Sequence, residues 1–158
     1  MIVRKLYLSA EHVYFGHFGR DAGRAPMTEV DRAHVVAGRG LVGDRFFAQP
    51  AGHRGQVTFF AEETWALLGE ALSRHDRGPE VFRRNILVRE ADLAALIGRE
   101  FEVQGLRFFG TEHCKPCFWM DQAFAPGALA QLAAWQAGGL RARALTTGWL
   151  SAAAETAA

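Results

Sequence analysis

Both cysteines of the 158-residue chain fall in one short segment, Cys114-Lys115-Pro116-Cys117, between Glu112-His113 and Phe118-Trp119-Met120-Asp121. A thiolate is a soft metal ligand and a strong nucleophile, and neighbouring cations, here Lys115 and His113, favour it over the thiol. Four readings suit a single Cys-x-x-Cys. A structural zinc site needs four Cys or His ligands, so His113, His53 or other histidines would have to complete it, and nothing in the sequence fixes their distance. A redox dithiol cycles with a disulfide, but its thioredoxin-like form opens a helix after a strand, and Phe118 to Asp121 with Pro126 beyond does not read as such a helix. The third reading is one active thiolate with a second cysteine beside it. The fourth is two small core residues; Lys115 and Pro116 argue against it for both, because a charge and a stiff turn place the segment near the surface.

Other polar groups stand where they could meet a ligand. Arg83, Arg84 and Asn85 precede an apolar run; the arginines suit a clamp on phosphate or carboxylate with Asn85 orienting a planar ligand, or they are solvated while Asn85 satisfies a turn. Asp44 with Arg45 reads first as a structural ion pair or cap and second as a direct ligand. His53-Arg54-Gly55 either faces an anionic group or occupies a loop. Gly38-Arg39-Gly40-Leu41-Val42-Gly43-Asp44-Arg45 is a tight glycine-rich turn that lacks the spacing of a P-loop and of the dinucleotide fingerprint. Sixteen of the eighteen basic residues are arginine, which suits bidentate contacts, although GC-rich codon usage accounts for the total.

Those residues must be positioned by the elements between them. Ile2 to Leu8 reads as a first strand, followed by short strand candidates at Thr28-Glu29-Val30 and Ala33-His34-Val35-Val36 among glycines, with Tyr14, Phe15 and Phe18 packing or lining a cleft. Gln56-Val57-Thr58-Phe59-Phe60 is a buried strand by its β-branched and aromatic content. Ala61 to His75 is the clearest helix, acidic at its start, with Trp65, Leu68, Ala71 and Leu72 at helical spacing as a core stripe. Ile86 to Val88 is a strand, Ala91 to Ile97 a short helical turn stopped by Gly98, and Glu100–Gln104 with Leu106–Phe109 a hairpin about Gly105. Pro126 to Ala137 reads as a helix with proline in its first turn, and Leu140 to Leu145 and Trp149-Leu150 close the pattern. Seven or more strands with two main helices predict an α+β, β-rich domain: a barrel-like, mostly antiparallel sheet with a few peripheral helices.

Composition bounds the function. The length and 49% apolar content support one domain with a sizeable core. No apolar run reaches the ~20 residues of a membrane helix, and Met1 to Leu6 lacks the apolar region of a signal peptide, so no membrane contact and a cytoplasmic protein are expected. A formal charge of +1 argues against general nucleic-acid binding.

Taken in order, the fragments Gly38 to Arg45, Gln56-Val57-Thr58 with Glu62-Glu63, Arg84-Asn85-Ile86, Asp92-Leu93, Gly98-Arg99-Glu100-Phe101, Cys114 to Cys117 and Gly138 to Arg143 resemble the MOSC domain family, named for the C-terminal domain of molybdenum-cofactor sulfurase. The resemblance covers nearly the whole chain and fits one domain over residues 1–151, while the Ala-rich end from 152 to 158 reads as a frayed tail. It also implies a cysteine that carries sulfur or ligates molybdenum, matching Cys117, with Cys114 present in only part of the family. The implied cofactor is molybdopterin-bound molybdenum, with Arg45, Arg84, Asn85 and Lys115 as its binding residues and Cys114, Asp44 and His53 as secondary ones. The implied partners are a cysteine desulfurase or a molybdoenzyme, and a small-molecule substrate. The chain resembles the small stand-alone members, some of which are similar to reductases of N-hydroxylated bases. Where the family commonly ends on a turn and Gly-Asp, this chain has Leu150-Ser151-Ala152.

Overall fold

Phe59 and Phe60 divide the molecule, because neighbouring residues on a strand face opposite sides. The computed structural model describes residues 1–13, 25–50 and 52–153; the aromatic trio Tyr14, Phe15 and Phe18 lies outside them. Strand β5, Val57–Ala61, is buried from Val57 to Phe60. Phe59 joins an interior of Val35, Leu41, Ile86, Phe108, Leu140 and Leu150, while Phe60 joins a second interior of Leu68, Phe82, Leu87, Phe124 and Leu132. Fully burying one such phenylalanine contributes about 1.5–3 kcal/mol. Ring pairs extend both groups, Phe59 meeting Phe108 at 5.5 Å and Phe82 meeting Phe124 at 5.1 Å.

The remaining strands are β1 Ile2–Leu8, β2 Thr28–Val30, β3 Arg32–Val36, β4 Gly40–Leu41, β6 Ile86–Arg89, β7 Glu100–Val103, β8 Leu106–His113, β9 Leu140–Ala144 and β10 Gly148–Ser151. Seven pair in the order β2-β1-β6-β5-β9-β8-β7, and three in the order β10-β3-β4. Among the strand pairs of the described residues only β5 and β6 are parallel, and helix α1, Glu62–Ala71, supplies the crossover that a parallel pair requires. The α+β, β-rich and mostly antiparallel expectation holds; among the described residues the strands form two open sheets and not one closed ring.

The glycine-rich turn joins these sheets. Gly40, at φ +97°, lies so close to the Gln56 carbonyl that a Cβ would collide with it, and the Gln56 amide donates to Gly38 O and accepts from Ala144 N. Its glycines therefore serve a close backbone approach.

Two helices differ from their sequence patterns at the ends. Helix α1 stops at Ala71, short of His75, because Ser73 turns left-handed at φ 49° and Arg74 N–H returns to Gly69 O. The helix after Pro126 starts later: α3 spans Ala128–Ala134 behind a left-handed Gly127, and the Asp121 carboxylate caps it by accepting from Leu129 N–H at 2.7 Å. At the chain's end, Ala152 and Ala153 donate backbone bonds to Asp31 and Val3. No helix among the described residues is long and apolar enough to cross a membrane.

Candidate functional site

Strand β8 delivers the chain to Cys114, and helix α2, Trp119–Ala123, opens two residues after Cys117. The pair thus stands between a strand and a helix after all. Pro126 did not forbid it, because α2 is one short turn that ends before the proline is reached. Both thiols are free. Cys114 is buried, with 2% of its surface exposed, and its N–H is bonded to Gly139 O, whereas Cys117 is partly exposed and packs at the edge of the helical core. The surface placement expected of the segment holds for Lys115 and not for Cys114. Gly138 makes the burial feasible, since any Cβ there would strike the Cys114 carbonyl.

A different cavity borders each cysteine. One of about 280 Å³ is lined by Cys117, His12, Lys115 and Trp119; the other, of about 180 Å³, is lined by Cys114, His53, Gly55 and Thr58. Between them stands a shared wall of Arg45, Phe46, Arg83, Arg84 and Arg141. Past Arg83 and Trp119 the first cavity continues toward an outer groove of about 370 Å³ bordered by Met27 and Val81. Trp119 is fixed there by its indole N–H, which donates to Val81 O at 2.9 Å.

The wall's charges are unevenly answered. Arg45 pairs with Asp44 at 3.2 Å and Arg141 with Glu112 at 3.0 Å. Arg83 donates to Ala25 O, Ser9 Oγ and Glu11 O, and Arg84 to Gly138 O and Phe82 O. No carboxylate among the described residues pairs with either. Burial first, and then Arg45, push the Arg83 pKa down to about 10, while Asp44 resists. Burial likewise lowers that of Arg45, opposed by Asp44. Arg83 also sits in the left-handed region at φ 56°, a conformation that costs a long side chain about 1–3 kcal/mol and collects at functional sites. Beside Arg84, Gly139 at φ +106° lies so close to the Phe59 carbonyl that a Cβ would collide with it.

Behind the wall lies a closed polar knot. The Asn85 side chain accepts from Thr58 N–H and Thr58 Oγ1 and donates to Tyr7 O and Asp44 Oδ2. Asp44 accepts in addition from Ser9 N–H, Phe46 N–H and Arg45. Both residues are buried, and neither lines either of these two cavities. Of the residues singled out from sequence, Arg45, Arg84, Lys115 and Cys117 meet in the first cavity, His53 and Cys114 lie in the second, and Asp44 and Asn85 hold Arg45 from behind. His113 faces away, toward Trp135 and Gln136, and no group of three or more His, Cys, Asp or Glu that could hold a metal ion occurs among the described residues.

His12, Trp119 and Arg141 had no signal of their own in the sequence. His12 follows an irregular stretch, and Arg141 is one of sixteen arginines whose strand register alone turns it to the site. The two histidines flank Phe46, His12 edge-on at 5.0 Å and His53 stacked at 5.6 Å. Burial first lowers both pKa values, helped by Arg45 at His12 and by Arg141 at His53, so both rings are neutral near pH 7.

The mostly antiparallel α+β scaffold agrees with comparison to known proteins. The MOSC domain profile matches residues 42–156, and the chain belongs to the MOSC domain family, which is associated with molybdenum-cofactor proteins. Its fold is similar to that of the YuaD protein from Bacillus subtilis, with TM-score 0.70 at 16% identity over 95% of this chain and 90% of that one. It is also similar to YiiM from Geobacillus stearothermophilus, with TM-score 0.67 at 12% identity over 95% and 70%. For YiiM from Escherichia coli the TM-score is 0.61 at 15% identity, over 93% of this chain and 66% of that one. At such identities the likeness is one of fold. No curated protein matches the sequence.

Proposed function

We propose that the protein binds a molybdenum cofactor in the Cys117 cavity, with the Cys117 thiolate as metal ligand, in the service of reducing a small N-hydroxylated substrate. The observation that carries this reading is a partly exposed thiol opening on a cavity with four guanidiniums and Lys115, two of the guanidiniums having no carboxylate among the described residues. The residues fit such a group, since its thiolate-binding metal and its phosphate ask for this donor set. When bound, the cofactor supplies two-electron redox chemistry.

The chain's own residues do the rest. Arg84, with Arg83 and Lys115, neutralises the phosphate, and Asp44 with Asn85 holds Arg45 in register. Trp119 covers the thiol side and offers a flat face to a planar substrate arriving from the outer groove. His12, neutral near pH 7, borders the same cavity as a hydrogen-bonding group toward the substrate. Purification from a host that makes the cofactor, followed by assay of molybdenum and pterin, tests this. Wild type carries both and Cys117→Ser loses the metal; no metal in wild type, or equal metal in the variant, ends the ligand role.

The openness of Cys117 favours one second reading, a sulfur carrier charged by a cysteine desulfurase, in which the same cations stabilise a persulfide anion. Incubation with desulfurase and cysteine then adds one sulfur at Cys117, read by mass spectrometry. No added mass rejects it.

A further inference from the structure

A further cavity, of about 220 Å³, shares no lining residue with the two that border the arginine wall, and the reading above gives it no task. We propose that it binds the primary ammonium group of a small aromatic amine, with the Asp92 carboxylate as counter-charge, the side-chain oxygens of Thr64 and Gln136 as further acceptors and Trp135 as the aromatic wall.

Strand direction places it. Strands β5 and β6 are parallel, and β9 is antiparallel to both β5 and β8, so β5, β6 and β8 all run the same way. The cavity is lined by Ala61, the last residue of β5, by Ala91 and Asp92 just past β6, and by His113, the last residue of β8. A crevice outside the carboxyl ends of strands joined by a crossover helix is where open sheets take up ligands. Its volume lies below the roughly 300 Å³ at which drug-sized pockets begin, so the ligand is small.

Charge selects a cation. No lysine or arginine lines the cavity, and Asp92 is its one carboxylate. Asp92 Oδ1 accepts from Ala95 N–H, which leaves Oδ2 uncommitted among the described residues. In the same two segments of chain, Glu62 is shared by Arg4 and Arg89, Glu90 meets that same Arg89, and Glu63 has no cationic partner among the described residues. The sign is the reverse of that of the arginine wall. Gln136 is the second argument. It follows helix α3 at φ 53°, a left-handed position where glycine is the usual residue, and Ala137 N–H closes the turn on Leu132 O at 3.0 Å. A long polar side chain is kept there at a conformational cost, and its amide lines the cavity with no hydrogen bond among the described residues. Beside it Trp135, 41% exposed, supplies a ring that attracts an ammonium and packs on an aromatic body.

Calorimetric titration of the cofactor-free, full-length protein with 2-phenylethylamine, at constant ionic strength, is the test. Wild type binds one amine. The neutral 2-phenylethanol binds roughly tenfold more weakly, the worth of one charge-assisted hydrogen bond, and phenylacetate, with its charge reversed, more weakly still. Asp92→Asn keeps an oxygen for the Ala95 N–H but not the charge, and weakens the amine roughly tenfold. Gln136→Gly distinguishes a binding residue from a structural one: it relieves the left-handed strain, so the urea midpoint holds or rises, while amine affinity falls roughly fivefold, the worth of a neutral hydrogen bond. Cys117→Ser keeps the wild-type affinity. No amine binding by wild type, equal affinity for the amine and the alcohol, or affinity unchanged in both Asp92→Asn and Gln136→Gly overturns the assignment. A loss in Cys117→Ser overturns it too, because it would put the amine in the thiol cavity. Since the two cavities share no residue and no cofactor is present, this result and the molybdenum assay fail independently.

Discussion

Arg83, Arg84 and Asn85 are consecutive, yet they belong to two regions governed by opposite accounting. Asn85 and Asp44 lie in a knot where every side-chain hydrogen-bonding group is answered: the amide has four bonds, the carboxylate four, and both are buried. The two arginines stand in a wall that carries more positive charge than the described carboxylates offset, and Arg83 is held there in a strained backbone conformation. A satisfied buried network specifies structure. An unsatisfied one, kept at a cost in strain and repulsion, marks the place where a ligand supplies what is missing. The border between scaffold and site thus runs through a peptide bond, between Arg84 and Asn85.

Breaking the knot has the largest effect. Asp44→Ala leaves the Arg45 side chain, only 6% exposed, without its counter-charge and also strands the Ser9 and Phe46 N–H groups. Loss of one partner of a buried pair costs about 3–5 kcal/mol. Urea unfolding measures it, and a loss under about 1 kcal/mol would show that the two regions do not differ as described.

The two thiols give the next largest contrast. Cys114 sits under Gly138 and is reached by a reagent only when the segment opens locally, whereas Cys117 lines an accessible cavity. Iodoacetamide therefore alkylates Cys117 first in the native protein, by roughly 100-fold, which corresponds to a local opening of about 2.8 kcal/mol. Peptide mapping after timed quenching reads the ratio; comparable rates would remove the distinction between the two sides.

Arg84→Ala sharpens the comparison from the other direction. The substitution removes two hydrogen bonds to carbonyls but also one unanswered cation, so stability changes by no more than about 1 kcal/mol. Loading with molybdenum and pterin in a cofactor-making host falls steeply in the same variant. A loss of stability as large as that of Asp44→Ala would make Arg84 part of the scaffold.

How far the sequence alone reaches follows the same border. Strands such as Val57–Ala61 and Ile86–Arg89 are legible because burial writes itself as apolar and β-branched runs, and the hairpin about Gly105 because its turn needs a left-handed residue, here at φ +79°. The Cys-x-x-Cys is legible as chemistry. The difference in burial between its two cysteines is not, because burial of Cys114 depends on Gly138, a distant residue that pattern alone does not place against it. Asp44 with Arg45 reads correctly as an ion pair, but Asn85 in the knot and Arg84 in the wall look alike in one dimension. What separates them is partner count, a property of contacts across 27 and 54 residues of chain. Helix ends at Ala71 and Ala128 were set by left-handed residues and by a cap borrowed from Asp121, neither of which shows in periodicity.

The smallest effect concerns the two histidines that border the cavities. Burial, then Arg45 for His12 and Arg141 for His53, hold their folded pKa values below the unfolded value of about 6.5. Above that pH both rings are neutral in folded and unfolded chains and contribute no pH dependence. As pH falls through the unfolded value, the unfolded chain takes up protons that the folded one refuses, so stability declines until the folded pKa values are passed. The direction is opposite to that of a histidine gaining a carboxylate partner, and it follows from burial first and from the neighbouring guanidiniums second. Urea midpoints between pH 5 and 8 therefore drop on the acid side in wild type and drop less in the His12→Gln, His53→Gln double variant. An acid-side decline equal in wild type and the double variant would show that the two rings are not its source.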